Sequence, residues 1–385
     1  MMRDGHRLAS SATRRLLSRN GPLRTEGGQL WIEGLPSREL VERLGTPILV
    51  YSSARLRDNI EQAIEATRAC AFPIRIHYAL KACYLVGVVG LVKEAGLNVE
   101  VMSEFEYLLA RRIGFAPDQV IVNGPAKRPE FLERVVTDGV ALMNVESLPE
   151  IAFLDALGQR LGKAIQVGFR INPLPSRHLR GPFAPPGSKF GFDVPTGEAA
   201  EAVVLDFGGG FGSRSIMEAN GGPLRSFIAK MTEPLAGLSG DREIVMEPGR
   251  YLVNDAAVCL TTVLSCKRNG RRRWVLVDAG RNILPPRKNA EYAVIPCEVR
   301  PGRTLYHVGD FLCMPSEPIP LSFVSGPIEL GDRLAVFNAG AYTFSMAQSF
   351  GEPIPNAILV EKAEWTWLYR KRSIEEQCRD LSGQT

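Results

Sequence analysis

The chain has 385 residues, of which 45% are hydrophobic and 23% are charged, and its formal net charge is +4. This length suits two domains, and this composition is that of an ordinary globular protein. The small, scattered net charge argues against a nucleic-acid partner, and no apolar run is long enough to span a membrane. We expect no nucleic-acid partner and no membrane association.

The seven cysteines form no Cys-x-x-Cys pair, and no set of metal ligands is predicted. The first 25 residues are basic but lack the long apolar core of a secretory signal. An odd number of cysteines without such a signal favours free thiols in a reducing compartment. The predicted location is therefore the cytoplasm.

The spacing of apolar and turn-forming residues divides the chain into three parts. A short strand is predicted at residues 29–33 and a helix at 37–44, and the segment 1–47 is expected to pack with the C-terminal domain. From residue 48 to 256 strands and helices alternate, which implies parallel strands with crossover helices. The strands are predicted at residues 47–51, 74–79, 97–102, 120–123, 141–145, 165–171, 203–207 and 243–246. Residues 257–385 contain short strands without helical spacing, so an all-β domain is predicted there.

Polar residues stand at the ends of the alternating strands, where a (β/α)8 barrel forms its active face. They are Lys81, Glu100, Ser103, Asn123, Asn144, Arg170, Asp206 and Glu247. Lys81 directly follows a buried strand, a costly place for a charge unless it has a task. A partly desolvated lysine can form a Schiff base with a carbonyl compound, although a lysine whose stem is buried and whose amine reaches solvent is the alternative.

Two further motifs follow strands. The run from Asp206 to Gly212 contains Gly208, Gly209 and Gly210, whose backbone N–H groups could surround a phosphate; a tight turn is the alternative. Glu247-Pro-Gly249-Arg250 places a carboxylate beside an arginine at another strand end. Together an aldehyde-trapping lysine, a phosphate cradle and a strand-end carboxylate predict a site for pyridoxal 5'-phosphate.

The chain resembles the fold-type III pyridoxal-phosphate decarboxylases, the diaminopimelate and ornithine decarboxylase family. The matching motifs run in family order: Tyr-Ala-Leu-Lys81-Ala, Glu100-Val-Met-Ser103-Glu-Phe-Glu106, Asn123-Gly-Pro-Ala-Lys127, Arg170-Ile-Asn-Pro, Ser188-Lys-Phe-Gly191, Asp206-Phe-Gly-Gly-Gly, Glu247-Pro-Gly-Arg250, Cys313 and Gly340-Ala-Tyr342. The resemblance implies an alanine-racemase-like (β/α)8 barrel with a C-terminal β domain.

The resemblance also implies roles for single residues. Lys81 would hold the cofactor as a Schiff base, and the phosphate would be bound by Gly208–Gly210, Gly249, Arg250 and Tyr342. Glu100 and Arg170 would complete the cofactor site. Glu247 would keep the pyridine nitrogen protonated, which strengthens the ring as an electron sink and favours decarboxylation over racemisation.

The substrate end of the site follows from the same resemblance. Cys313 would enter the active site across a homodimer interface, near the carbon to be reprotonated. Family members have an acidic residue after this cysteine that binds the distal amino group of the substrate, whereas this chain has Met314. That change resembles a branch acting in siderophore or antibiotic assembly, in which a glutamyl group is tethered to a carrier protein. Glu317 could still supply a charge, and residues 174–186 are expected to contribute to specificity.

One strand–helix unit is expected to be missing. Only 14 residues separate Gly191 from Asp206, too few for the roughly 30 residues of a unit with its crossover. In the family this unit carries a histidine that stacks on the cofactor, and none of the four histidines (6, 77, 178 and 307) lies there. Seven strands at the mouth would leave a gap between the strands that end at Ile171 and Phe207.

Three functions remain open from the sequence. The first is decarboxylation of a diaminopimelate-, ornithine- or lysine-, or carrier-bound glutamyl-type substrate by a homodimer with shared sites. The second is a catalytically impaired cofactor-binding relative that acts by associating with a partner, which the short barrel favours. The third, an amino-acid racemase, is disfavoured by Glu247.

Overall fold

The structure, a computed structural model, describes residues 17, 21–70, 72–172, 192–193, 204–220, 222–233, 243–285, 292–314 and 322–382. Its first segment is a small antiparallel sheet made of β1 (Leu23–Glu26), β2 (Gln29–Ile32) and β3 (Leu35–Pro36), followed by helix α1 (Ser37–Leu44). Leu23, Leu30 and Ile32 lie in one buried cluster with Val258 and Ile358, far along the chain. The N-terminal segment thus shares a core with the later strands.

Strands and helices alternate in the next part of the chain. The elements are β4 (Ile48–Ser52), α2 (Ser53–Arg68), β5 (Ile74–Ala79), α3 (Val86–Glu94), β6 (Asn98–Val101), α4 (Glu104–Ile113), β7 (Val120–Val122), α5 (Pro129–Asp138), β8 (Leu142–Val145), α6 (Leu148–Leu161), β9 (Val167–Phe169), β10 (Ile171–Asn172), β11 (Phe192–Asp193), β12 (Val204–Asp206), α7 (Arg214–Asn220), α8 (Leu224–Thr232), β13 (Glu243–Met246) and α9 (Arg250–Val253). Short 3₁₀ turns lie at Leu80–Ala82, Pro117–Gln119 and Asn254–Ala256.

Local sequence signals set the ends of these helices. The Ser52, Ser103 and Ser147 side chains each accept a hydrogen bond from the backbone N–H three residues later, which satisfies a donor at the start of α2, α4 and α6. Gly114 and Gly162 end α4 and α6 in the left-handed region, where a residue without Cβ is favoured.

Seven of the strands form one parallel sheet in the order β12-β13-β5-β6-β7-β8-β9. These are the seven barrel strands that the sequence predicts from residue 74 onward, and the predicted alternation is confirmed. Over the described residues β9 and β12 stand at the two ends of this order, while β10 and β11 form a separate parallel pair. The helix predicted at residues 196–202 lies outside the described residues.

The rest of the chain forms a second, nine-stranded mixed sheet. Its strands from this region are β14 (Ala257–Asn269), β15 (Arg272–Val277), β16 (Ala293–Pro296), β17 (Thr304–Asp310), β18 (Ser322–Ser325), β19 (Arg333–Phe337), β20 (Asn356–Glu361) and β21 (Glu364–Tyr369). A final helix, α10 (Ile374–Ser382), which the sequence analysis does not predict, follows them. No helix among the described ranges is long and apolar enough to cross a lipid bilayer.

The ninth strand corrects one part of the sequence prediction. The division at residues 47/48 assigns the strand at 47–51 to the barrel, but β4 lies in the mixed sheet, antiparallel to β14 and parallel to β20. All five residues of β4 are buried. A strand that is apolar on both faces fits the centre of either sheet, so its sequence could not identify its neighbours.

Candidate active site

The alternation of side chains along the parallel strands explains which residues reach the interior of the sheet. Val120, Val122, Ile244 and Met246 pack in the main core with the helices, whereas the residues between them form a separate small cluster: Ile121, Leu142 and Val245. Two positions further along each strand, the same face carries Asn123, Asn144 and Glu247. Polar side chains therefore follow the apolar interior layer at the carboxyl ends of the strands.

Lys81 lies in the 3₁₀ turn Leu80–Ala82, directly after β5. The turn is anchored because Leu80 and Ala82 are fully buried. The Lys81 side chain is 31% exposed, and its Nζ forms an ion pair with Oε2 of Glu100, whose side chain is fully buried. Burial lowers the pKa of Lys81, but the charges of Glu100 and Glu247 outweigh it, so this pKa is raised above that of an ordinary lysine.

Glu100 follows the same alternation, since Val99 and Val101 on either side of it pack in the main core. Its Oε2 is paired with Lys81, while Oε1 is buried and has no hydrogen-bond partner. A buried carboxylate oxygen without a donor is costly. This oxygen therefore marks a place where a further hydrogen-bond donor would be stabilised.

The predicted glycine loop lies against Glu247. The Glu247 N–H donates to the Gly208 carbonyl over 2.9 Å. A Cβ on Gly209 would stand 2.6 Å from the Glu247 carbonyl oxygen, and Gly208 and Gly210 have φ of +64° and +88°. Only glycines allow both this approach and these backbone angles. Burial, followed by the charges of Glu100 and Asp206, raises the pKa of Glu247 well above that of an ordinary glutamate.

Gly249, Arg250 and Tyr342 meet on the other side of the Lys81 turn. A Cβ on Gly249 would stand 2.9 Å from the Ala82 Cβ, so the chain passes close to the turn only because residue 249 is glycine. The Tyr342 N–H donates to the Ala82 carbonyl over 2.6 Å, and the Arg250 guanidinium lies 5.3 Å from the centre of the Tyr342 ring. The structure thus brings Lys81, Glu100, Glu247 and the predicted phosphate-binding residues together.

The structure describes three further predicted site residues, Arg170, Cys313 and Met314. Arg170 is in contact with Glu146, with 2.8 Å between Nη1 and Oε1. Cys313 is exposed and Met314 is half-buried, both just beyond the end of β17. Glu317 lies outside the described residues, as do the predicted specificity segment 174–186 and the Ser188–Gly191 motif.

The structure also shows site residues to which the sequence assigned no role. The Ser345 hydroxyl donates to the Lys81 carbonyl over 2.8 Å, and nothing in the sequence around Ser345 indicates this contact. Glu106 is buried in the same region, where burial raises its pKa to about 7. Asn123, Asn144 and Asp206 were predicted at strand ends, and that signal indicates their position at the same edge as Glu247 but not the hydrogen bonds between them.

The donor set agrees with pyridoxal 5'-phosphate. A reactive amine at the mouth fits the aldehyde, and the glycine-only loop with Arg250 offers N–H donors and a cation to the phosphate. Glu247 is a buried carboxyl with a raised pKa, which suits a basic ring nitrogen. The unpartnered Oε1 of Glu100 provides one more acceptor in the same place.

Comparisons with known proteins support the same assignment. Residues 57–204 match the family described as "Pyridoxal-dependent decarboxylase, pyridoxal binding domain". The diaminopimelate decarboxylase of Aquifex aeolicus is 29% identical over 92% of this chain and 95% of its own, and that of Bacillus subtilis is 28% identical over 91% and 94%. The Aquifex alignment runs over 418 positions, more than the 385 residues of this chain, so the relative has residues without a counterpart here.

Solved structures show the same fold. The diaminopimelate decarboxylase of M. jannaschii in complex with L-lysine superposes with a TM-score of 0.81 at 23% identity, covering 92% of this chain and 96% of that one. The lysine/ornithine decarboxylase of Vibrio vulnificus gives a TM-score of 0.65 at 19% identity, covering 85% and 97%. The predicted combination of an alanine-racemase-like barrel and a β domain is therefore confirmed.

The Aquifex relative and the M. jannaschii structure each cover more than nine-tenths of the chain, and the family match covers residues 57–204. They account for the cofactor, because the matched segment is a pyridoxal-binding domain that begins shortly before Lys81. The chain carries the pyridoxal-binding domain of the pyridoxal-dependent decarboxylases and is similar along its length to diaminopimelate decarboxylases, and this similarity supports pyridoxal-phosphate-dependent decarboxylation of an amino acid.

Proposed function

We propose that this enzyme decarboxylates a free diamino dicarboxylic acid, meso-diaminopimelate, with Lys81 as the cofactor-binding lysine. The relatives in Aquifex and Bacillus carry the name diaminopimelate decarboxylase and match nearly their whole length. The substrate follows from these names, and the observation that supports Lys81 as the cofactor-binding lysine is its ion pair with the buried Glu100, close to Glu247 and the glycine loop. In the reaction the α-carbon loses CO₂ and gains one proton.

The bound cofactor supplies an electron sink for the negative charge left at the α-carbon. Gly208–Gly210 and Arg250 would hold its phosphate group by N–H donors and charge. Glu247 would face the ring nitrogen and keep it protonated, and burial together with the charges of Glu100 and Asp206 raises the pKa of this carboxyl group above that of an ordinary glutamate. These residues would bind and orient the ring.

Lys81 has to lose a proton before its amine can act as a nucleophile, because its raised pKa keeps it an ammonium at neutral pH. Glu100 is in direct contact with Nζ and has a second oxygen without a partner. Glu100 therefore holds the Lys81 amine in place at the mouth of the sheet.

The proton that the α-carbon gains comes from Cys313 of a second subunit. In the folded chain Cys313 is exposed at the end of β17, so its thiol is available to a neighbouring molecule. Mixing inactive Lys81→Ala subunits with inactive Cys313→Ala subunits tests the shared site, because each mixed dimer regains one site with both residues. Subunit exchange without any return of activity would contradict it.

Met314 favours a second substrate class, a glutamyl group tethered to a carrier protein. Its half-buried thioether stands where family members have an acidic residue, and it offers no charge to a distal ammonium group.

The described cysteines are all free, which suits a reducing compartment, and the cytoplasmic location remains a prediction.

Release of CO₂ from purified enzyme, measured over diaminopimelate, lysine, ornithine and glutamate, free and carrier-bound, tests the proposal. We expect the highest kcat/KM with meso-diaminopimelate. A preference for the carrier-bound glutamyl group would select the second class instead. Cofactor binding without CO₂ release from any of them would contradict both.

A further inference from the structure

A closed circuit of hydrogen bonds joins Glu247 to the glycine loop. Asn123 Nδ2 donates to Glu247 Oε1 over 2.6 Å, and Asn144 Nδ2 donates to both Asn123 Oδ1 over 2.7 Å and Asp206 Oδ2 over 2.8 Å. Asp206 Oδ1 accepts the Gly208 N–H over 2.7 Å, and the Gly208 carbonyl accepts the Glu247 N–H over 2.9 Å. The circuit thus connects Glu247, which is proposed to face the ring nitrogen, with Gly208, which is proposed to face the phosphate group.

The residue types in this circuit are chemically restricted. Asn144 is only 7% exposed and lies between a carboxylate and an amide oxygen, so it has to donate twice. An amide does this without adding charge. An aspartate at residue 144 would repel Asp206, and an apolar residue would leave buried oxygens without donors.

Two contacts outside the circuit hold Asn144 in place. The Lys127 side chain is fully buried, and its Nζ donates to the carbonyls of Asn144 and Gly124 and pairs with Glu150, each over 2.8 Å. Gly168 on the neighbouring strand leaves room for the amide, since a Cβ there would stand 2.2 Å from Asn144 Oδ1. Such close approach indicates that the orientation of Asn144 is tightly constrained.

We propose that Asn123, Asn144 and Asp206 are positioning residues that fix the Glu247 carboxyl and couple it to the glycine loop. A carboxyl held on Oε1 by Asn123 has one orientation relative to the ring nitrogen. Because the same circuit holds Gly208, the ring end and the phosphate end of the cofactor are positioned by one connected unit. The inference rests on the proposed role of Glu247.

Removal of one amide should therefore weaken cofactor binding as well as catalysis. We expect Asn123→Ala and Asn144→Ala to lower the affinity of the apoenzyme for pyridoxal 5'-phosphate by ~10- to 100-fold, the effect of losing a hydrogen bond to a charged group. Asn123→Ser, which keeps a hydroxyl donor, should recover part of this loss. Titration of the apoenzyme, followed by quenching of tryptophan fluorescence, measures the affinity.

Asn98 provides a matched control. It is the first residue of β6, at the end of the strand away from the site residues. Its Nδ2 lies 3.3 Å from His77 Nε2 in a side-chain hydrogen bond. Asn98→Ala removes an amide of the same type from the same sheet, and we expect near wild-type affinity. If Asn123→Ala and Asn144→Ala lower the melting temperature as Asn98→Ala does and leave the affinity unchanged, the circuit is only structural and the proposal is wrong.

A double-variant cycle with Glu247→Gln tests whether Asn123 acts through Glu247. If it does, Asn123→Ala should lower kcat ~10- to 100-fold in the wild-type background and less than threefold in the Glu247→Gln background. Equal effects in both backgrounds would overturn the proposal. Affinity is measured without substrate, so a wild-type enzyme that binds cofactor but releases no CO₂ would contradict the proposed function and leave the test of the circuit intact.

Discussion

The two sheets of this protein use buried positions in different ways. In the mixed sheet the central strands β4 and β19 and the first half of β14 are buried and almost entirely apolar, with Phe337 and Val258 fully enclosed. In the parallel sheet the interior face ends in Glu100, Asn144 and Glu247, all less than 10% exposed. Buried polar and charged groups oppose folding unless they are paired. The difference indicates that the buried polar groups of the candidate site are concentrated in the parallel sheet, whereas the centre of the mixed sheet contributes mainly apolar packing.

The largest expected effect comes from neutralising a carboxyl in the parallel sheet. Glu247→Gln keeps the size and the hydrogen-bond acceptor of the side chain but cannot hold a proton for the ring nitrogen. We expect cofactor to remain bound and kcat to fall by roughly 100- to 1000-fold. Steady-state CO₂ release measures this, and near wild-type turnover would mean that the ring is not activated by this group.

Although Glu247→Gln should lower activity, it should raise the stability of the apoenzyme relative to wild type as the pH increases. The folded-state pKa of Glu247 lies above that of the unfolded chain, so its contribution to folding is present in acid and lost as the pH rises through the folded-state pKa. Glutamine does not ionise. The melting temperature of the Glu247→Gln apoenzyme, relative to wild type, should therefore rise between pH 5 and pH 9; a constant difference would contradict a raised pKa.

A substitution in the centre of the mixed sheet should lower folding stability and leave cofactor affinity unchanged. Phe337 on β19 is fully buried, and Phe337→Ala should lower the free energy of unfolding by about 3–5 kcal/mol through lost burial and a cavity. Denaturant titration measures the loss. The folded fraction should bind cofactor with unchanged affinity, and a large drop in affinity would show that the two sheets do not divide these tasks.

The same glycine-to-alanine substitution can be compared at a site residue and at a residue away from the site. Gly209→Ala places a Cβ 2.6 Å from the Glu247 carbonyl oxygen and should displace the glycine loop, which lowers cofactor affinity by ~10-fold. Gly90→Ala is the matched control, because a Cβ on this helical glycine of α3 meets nothing within 4 Å. We expect Gly90→Ala to leave affinity unchanged and to stabilise the helix slightly. Equal affinities of the two variants would contradict a close-fitting phosphate loop.

The smallest expected effect concerns the two ends of the parallel sheet. β9 is only half-buried, whereas β6 in the middle of the order is almost fully buried. A missing strand–helix unit would lie between β9 and β12, the two ends of the sheet. In that case amides at 167–169 and 204–206 should exchange with solvent roughly 10- to 100-fold faster than those at 99–101. Hydrogen exchange with mass spectrometry measures this, and equal protection would indicate a closed barrel.

The sequence was most informative where side chains alternate with a regular period. The seven parallel strands and the polar residues at their ends were predicted because period-two burial and strand–helix alternation are local signals. The sheet membership of β4 was wrong, since a strand buried on both faces carries no signal for its partners. The prediction of an all-β C-terminal domain did not identify β17, β18 and β20, although β17 and β18 are consecutive strands that pair with each other.

The candidate site was predictable only as separate motifs. Lys81, Glu247 and the glycine loop each follow a strand, and the parallel arrangement of those strands brings them to one edge. The pairing of Asn144 with Asp206 depends on side-chain orientation across strands that are far apart in sequence. Such a contact follows from the folded structure and not from local spacing.

The central claim is that Lys81 holds the cofactor in this chain. Reduction of the cofactor-loaded enzyme with borohydride converts the lysine–cofactor bond into a stable secondary amine, and peptide mapping by mass spectrometry then locates the added pyridoxyl group. We predict the label on Lys81 alone. A label on Lys127, whose amine is buried and fully bonded, or no label in a protein that has taken up the cofactor, would contradict the account.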